Sequence, residues 1–257
     1  MSSKMEEHRH YFMYGSKLKF DEDSTLEFKG HRLISHADIS NPKSFNKKQT
    51  NQTKLPRTRQ AVSRCLCAFL NTGSGGDVYL GVNDEGRVIA LKLSLRQMDH
   101  LLLQIVQVFD SFNPPVPNYM WWLAFIPVVT SRSEVHERLD LIQEWRSLKY
   151  DDVKRSVAHR FPSHGLCWCD VTQHTEMSHQ YVVRIHLKSS KMKKSENNRL
   201  CLPTIYQCDN GKAYFRNCAS VLGHTPQQVV RHTRDCIEYH YQPIVDKLKE
   251  ELKALLR

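Results

Sequence analysis

Residues 57–91 constrain the fold of this 257-residue chain more than any other stretch. Val62, Cys65, Leu66 and Phe69 recur at i, i+3, i+4 and i+7, the buried stripe of a helix. The spacing predicts a helix from about Arg57 to Asn71, with Pro56 ahead of its first turn and Gly73 where a C-terminal glycine cap belongs. Strand signals follow at once. Val78, Leu80 and Val82 alternate from Asp77 to Val82, Asn83-Asp84-Glu85-Gly86 has turn composition, and Arg87 to Leu91 is expected to return antiparallel. A buried helix leading through a glycine turn into strands belongs to an α+β domain.

The flanking segments extend that order. Ser24 to Lys29 reads as a strand with Leu26 and Phe28 on one face and Thr25, Glu27 and Lys29 on the other. Gly30 to Pro56 has few apolar anchors and is expected to be an exposed, mobile, basic loop. Ser94 and Gln97 form a capping box for a second helix, striped by Met98, Leu101, Leu102, Ile105 and Phe109 and ended by Asn113-Pro114-Pro115. Trp121 to Val129 reads as a buried strand, and Tyr181, Val183, Ile185 and Leu187 alternate with polar residues in another. Asn210-Gly211 is the strongest hairpin signal, expected to join Thr204–Gln207 to Ala213–Arg216. Ser133 to Leu148 has a helical stripe. Thr225 and Gln228 cap a helix near the C-terminus, and Pro243 is expected to start or kink a last one. The sum is an α+β fold with a mostly antiparallel or mixed sheet, flanked by helices.

Charge narrows the choice of partner. Lys and Arg outnumber Asp and Glu by 37 to 27, a net +10 that favours polyanions, nucleic acid first. The longest apolar run, Met120 to Val129, is half of what a membrane-crossing helix needs, and Pro127 interrupts it. The first ten residues lack the apolar core of a signal peptide, so a cytoplasmic location is expected, with the nucleus as the other intracellular option. The eight cysteines are then expected to be thiols, core residues or metal ligands.

Four groups carry the chemistry. Glu22, Glu27 and Asp84 supply oxygen ligands of the kind Mg²⁺ or Mn²⁺ takes, with Lys29 beside them to face a phosphate. Glu22 and Glu27 lie five apart, so they converge only if the chain turns at Asp23-Ser24. The plainer reading is that Asp84 serves the turn and Glu27 and Lys29 face solvent. Thr72-Gly73-Ser74-Gly75-Gly76 is glycine-rich and suggests nucleotide binding, yet it follows a helix and precedes a strand, the reverse of a P-loop, so a structural turn fits better. His164, Cys167, Cys169, His174 and His179 are zinc-competent, although Cys-x-Cys is not the usual chelating spacing; Cys201, Cys208 or Cys218 would have to complete a site. Lys43, Lys47, Lys48, Lys54, Arg57 and Arg59 form one basic cluster, and Lys188, Lys191, Lys193, Lys194 and Arg199 form another. Either would track a phosphate backbone or simply be a solvated face.

Three segments together resemble the Schlafen family. Glu22 to Lys29 is similar to its Glu-x4-Glu-Phe-Lys motif. Cys67 to Asp84, Cys-Ala-Phe-Leu-Asn-Thr-Gly-Ser-Gly-Gly-Asp-Val-Tyr-Leu-Gly-Val-Asn-Asp, is similar to its second signature. Asp209 to Arg216 resembles its closing Asp-Gly-Lys-Ala-Tyr-x-Arg hairpin. The resemblance implies an AlbA-like domain over residues 20–224, with an insertion at about 130–180, an N-terminal tail over 1–19 and C-terminal helices over 225–257. It implies a metal-dependent endoribonuclease whose acidic triad is Glu22, Glu27 and Asp84, acting on tRNA-like or small-RNA precursors, with Arg216 added to the RNA-facing cations. It also brings the alternative of ATP binding at Thr72–Gly76. The family's zinc positions correspond to Ser111-Phe112-Asn113-Pro114 and Leu187-Lys188-Ser189-Ser190, so that zinc site is expected to be missing. Larger relatives clasp RNA between two such lobes. One lobe implies a homodimer or a pairing with a related subunit, and leaves a non-catalytic RNA-binding or scaffold subunit as the competing reading.

Overall fold

The computed structural model describes residues 11–30, 62–137, 179–189, 204–208 and 210–256. Twelve elements run along these segments. They are β1 (Phe12–Met13), β2 (Leu26–Lys29), α1 (Val62–Thr72), β3 (Gly76–Leu80), β4 (Leu91–Leu93), α2 (Leu95–Ser111), β5 (Trp121–Val129), α3 (Arg132–Glu137), β6 (His179–Leu187), β7 (Ala213–Asn217), β8 (Ser220–His224) and α4 (Pro226–Leu255).

The main sheet is mixed, in the order β1-β5-β6-β3-β2, with β4 also on β6. β1 runs parallel to β5 and β2 parallel to β3, while β6 is antiparallel to β3, β4 and β5. The α+β expectation with a mixed sheet holds. β6 organises it because its alternation serves two cores. Tyr181, Val183, Ile185 and Leu187 join the larger core with α1 and α2. Val182 joins the smaller one on the opposite face, where Leu18, Phe28 and Tyr79 meet Phe12 and Phe20 of the N-terminal segment. The apolar run ending at Val129 is strand β5, and no helix among the described residues is long and apolar enough to cross a membrane.

α1 is buried nearly all round, from Val62 to Asn71 except Arg64. Its end is knitted to later chain by Asn71. The side-chain amide donates to the carbonyls of Tyr206 and Tyr214, each at 2.9 Å, and its oxygen accepts from Tyr206 N at 2.7 Å. α2 carries the expected capping box at Ser94 and Gln97.

Three local expectations are corrected. The return from Arg87 is antiparallel as expected only just past β3, and does not continue along β3 itself. Val82 bridges Val88, and the chain then crosses so that β4 lies on β6. Nor does Thr204–Gln207 pair with Ala213–Arg216. Gln207 bridges Asn113 instead, and β7 takes β8 as its partner across a tight turn at Cys218, whose φ is +52°. Finally, the C-terminal region is one helix that continues through Pro243. A proline removes one backbone donor and crowds the preceding turn, but the run of strong helix formers from Lys247 to Leu255 carries the helix on beyond it.

Of the expected Ser133–Leu148 helix, α3 is the part described. The basic loop after Gly30, the start of the Arg57 helix and most of the insertion lie outside the described residues.

Candidate functional site: a carboxylate cluster around Glu27

The cluster begins with a turn. Asp23 Oδ1 accepts from Thr25 N at 2.6 Å and from Thr25 Oγ1 at 2.9 Å, reversing the chain just before β2. The reversal folds Glu22 back so that its Oε1 accepts from Phe28 N at 2.6 Å. β2 then presents Phe28 to the smaller core, and Glu27 and Lys29 to the α1 face. Both are buried, at 5% and 7% exposure, so they do not face solvent.

Glu27 is surrounded. Lys29 Nζ and Arg216 Nη1 pair with its two oxygens, and Cys65 Sγ from α1 lies 3.5 Å from Oε1. Arg216 comes from β7 and is fully enclosed. Its Nε and Nη2 donate to the Asp23 carbonyl at 3.1 and 2.6 Å, and Nη2 also donates to the Leu26 carbonyl at 2.8 Å. Its guanidinium stands 4.8 Å over the Phe69 ring. One arginine therefore holds the Asp23 turn, the start of β2 and the Glu27 carboxylate together. The family resemblance groups Arg216 with cations that face RNA; its burial gives it this clamping part instead. Lys29, expected at a phosphate, is directed at Glu27. The sequence does hold a signal for Arg216, since an arginine two residues from an aromatic core position on a hairpin strand shares that position's face.

Asp84 arrives by a separate route. Gly81 N donates to Lys29 O at 2.9 Å, tying the end of β3 to the end of β2. A side chain at Gly30 would come within 3.2 Å of Asn83 Cα, so glycine permits the turn to sit against β2. Asn83 shapes that turn, its Oδ1 accepting from Glu85 N and Arg87 N, and Asp84 projects exposed beside it.

Electrostatics links the three carboxylates. The Glu22 carboxyl is raised above its usual range, first by burial. The Phe28 N–H and Lys29 work against that rise, while the neighbouring charges of Glu27 and Asp84 add to it. Burial opposes the charge on Lys29, but the Cys65 sulfur and Glu27 outweigh it and its pKa is raised. Burial pushes the Cys65 thiol up to about 12, so it is a packing residue with a polar neighbour rather than a nucleophile.

Among the described residues no group of three His, Cys, Asp or Glu side chains stands close enough to hold a metal ion. The donor chemistry nevertheless suits a hard divalent cation: the oxygens come from three carboxylates, and Glu22 is raised partly by like charges that a cation would relieve.

The glycine loop is filled by protein. A Cβ at Gly75, whose φ is +68°, would meet Leu187 O at 2.5 Å, and one at Gly76 would meet Thr25 O at 2.5 Å. Thr72 Oγ1 donates to Ala68 O and accepts from Arg216 N, and Ser189 Oγ donates to Gly73 O. Close approach of backbones thus accounts for the glycines and puts Ser74 in a turn.

Lys188 is exposed just past β6. Lys43, Lys47, Lys48, Lys54, Arg57, Arg59, Lys191, Lys193, Lys194 and Arg199 lie outside the described residues, as do His164, Cys167, Cys169, His174 and Cys201. His179 begins β6, Cys208 is buried and Cys218 is exposed; the described cysteines are thiols.

A second polar network, with no counterpart among the sequence expectations, lies on the sheet face opposite α1. Arg184 Nε and Nη2 donate to the two oxygens of Asp77 at 2.7 and 2.9 Å, and His186 Nδ1 lies 2.9 Å from Asp77 Oδ1. Trp122 stacks on His186 at 5.0 Å. Burial works against the Asp77 carboxylate, but the bonds from His186 and Arg184 outweigh it and hold its pKa below the usual value.

The sequence profile of the family described as Schlafen, AlbA_2 matches residues 22–221, from the first carboxylate of the cluster to β8. With most of its length covered, this chain belongs to the Schlafen AlbA_2 family.

Proposed function

We propose that the chain is a divalent-metal-dependent endoribonuclease acting on structured or small RNA. What supports the reading is that Glu22, Glu27 and Asp84 come from a turn, a strand and a second turn, and that Glu27 and Asp84 both act to raise the Glu22 carboxyl, although no three such side chains among the described residues stand close enough to hold a metal. Glu22, Glu27 and Asp84 would hold Mg²⁺ or Mn²⁺, whose chemistry is to polarise a phosphate and activate a water. The protein's own residues do the positioning. Arg216 fixes Glu27 and the Asp23 turn, Lys29 balances Glu27's charge, and Asn83 sets the turn that presents Asp84.

A net charge of +10 supports RNA as the partner, with Lys188 and the basic clusters supplying grip. A second copy or a related subunit would complete the binding surface. The uncovered apolar side of α4 supports such an assembly, with Ile244, Leu248, Leu252 and Leu255 all exposed. A cytoplasmic site of action fits a partner such as tRNA.

The test is pure full-length protein with tRNA and small structured RNAs in Mn²⁺, Mg²⁺ or EDTA. Cleavage should need the metal, and Asp84→Ala should abolish it while RNA affinity stays within about twofold, because cations carry the grip. RNA binding with no cleavage under any metal would favour the scaffold reading.

A further inference from the structure

An open cleft of about 950 Å³ lies between α1, the β7–β8 hairpin and the start of α4, away from the carboxylates. Arg64, Lys212 and His224 line it, and no Asp or Glu does so among the described residues. Arg64 stands 5.7 Å from the Tyr214 ring centroid, and its Nε is buried with no hydrogen-bond partner among the described residues. An arginine donor without an acceptor among the described residues, beside an open cleft that no described carboxylate lines, calls for an anion, since buried donors are otherwise almost always paired. The α4 capping box occupies Thr225 N and Gln228 N and Pro226 has no N–H, so the site rests on the side chains. Tyr214 and Arg216 are two apart on β7 and share its α1-facing side, so the cleft begins about 7 Å along the strand from the residue that grips Glu27.

We infer that this cleft binds a phosphate group of the RNA strand whose cleavage is proposed above, holding it by Arg64 and Lys212. The inference rests on that RNA reading but not on catalysis. It is tested by fluorescence anisotropy of a labelled single-stranded RNA oligonucleotide in EDTA, across a salt series, with wild type, Lys212→Glu and Arg64→Gln. Lys212 is exposed beside the Asn210-Gly211 turn, so its variant keeps the fold even if Arg64→Gln does not; thermal melts check both. Both folded variants should bind more weakly, with the log–log salt slope shallower by about 0.7 for each phosphate no longer neutralised. Unchanged affinity and slope in Lys212→Glu would overturn the inference, as would a wild type that binds no RNA. Displacement of the RNA by equimolar inorganic phosphate would make the cleft a small-anion site and overturn the RNA assignment. A wild type that loses RNA through these variants but never cuts it keeps the cleft and retires the nuclease. One that cuts RNA while both variants bind and cut unchanged does the reverse.

Discussion

Replacing Arg216 tests the central claim about the site. The Arg216→Met variant keeps most of the side-chain volume over Phe69 but strips Glu27 Oε2 of its partner, takes the Arg216 donors from the Asp23 carbonyl and leaves the Leu26 carbonyl with the Asp23 N–H alone. Breaking a buried pair from one side costs about 3–5 kcal/mol, because the surviving charge stays desolvated. Lys29 still faces Glu27 and limits that loss, while the lost bonds to the Asp23 carbonyl add about 1 kcal/mol. A cost of about 3–5 kcal/mol is therefore expected, which in a domain of this size lowers Tm by about 6–20 °C. Arg216→Lys should fall between wild type and Arg216→Met, since it keeps the charge and loses the fork. The double variant Glu27→Gln/Arg216→Met should cost less than the sum of the single changes, as expected for residues that touch. Differential scanning fluorimetry and urea titration read all of these. If Arg216→Met melts with an exposed control such as Lys253→Ala, Arg216 is no clamp, and its place among RNA-facing cations is restored.

Two carboxyls should show opposite pH dependence, followed by melting in EDTA. Asp77 has a lowered pKa in the fold, so its contribution is present above its ordinary value of 3.8 and is lost as pH falls through the lowered one. Asp77→Asn should accordingly melt lower at neutral pH, by the about 1.5–3 kcal/mol of a hydrogen bond to a charged group, and the gap should close in acid. Glu22 is raised, so the folded state holds its proton longer and the fold loses stability as pH rises from 4.5 through the raised value. Glu22→Gln should be at least as stable as wild type at neutral pH, and a variant that melts lower there would contradict the raised value. At the loop, Gly75→Ala forces a side chain onto the Leu187 carbonyl in a left-handed conformation and should cost about 1–3 kcal/mol or more. An unchanged melt would reopen the loop as a ligand site.

How much of the fold is legible in the sequence follows from where each residue's partners lie. The stripe of α1, the Ser94 box and the alternation of β6 depend on neighbours a few positions away, and sequence periodicity reports them directly. β2 misleads in its plain reading. Alternation of Leu26 and Phe28 with Glu27 and Lys29 looks like a sheet with one wet face, but here the polar face is covered by α1 and β7. Nothing local announces that cover, because Arg216 lies nearly two hundred positions away. The Asn210-Gly211 signal is correct as a turn and wrong as a hairpin between two strands. Cys208 N bonds Lys212 O across it, yet the strand partner of β7 comes after it, through a turn at Cys218 with no glycine to mark it.

The same long-range cover explains how Glu27 tolerates burial near two other carboxylates. Three negative charges at the ends of two neighbouring strands would repel one another and resist desolvation if left alone. Lys29 and Arg216 place two positive charges on the most buried of them, Glu27, while Asp84 remains in solvent, where its charge is inexpensive. The strain falls on Glu22, half-buried between its neighbours and compensated chiefly by one backbone N–H and by Lys29. A divalent cation arriving at the cluster would meet one carboxylate already fixed in place, one exposed and one whose pKa is raised first by burial and then by the charges of the other two. That asymmetry gives each member a separate task. Under the proposed metal reading, Glu27 would anchor the cluster to the core, Asp84 would offer open oxygens, and Glu22 would be relieved of its neighbours' like charge.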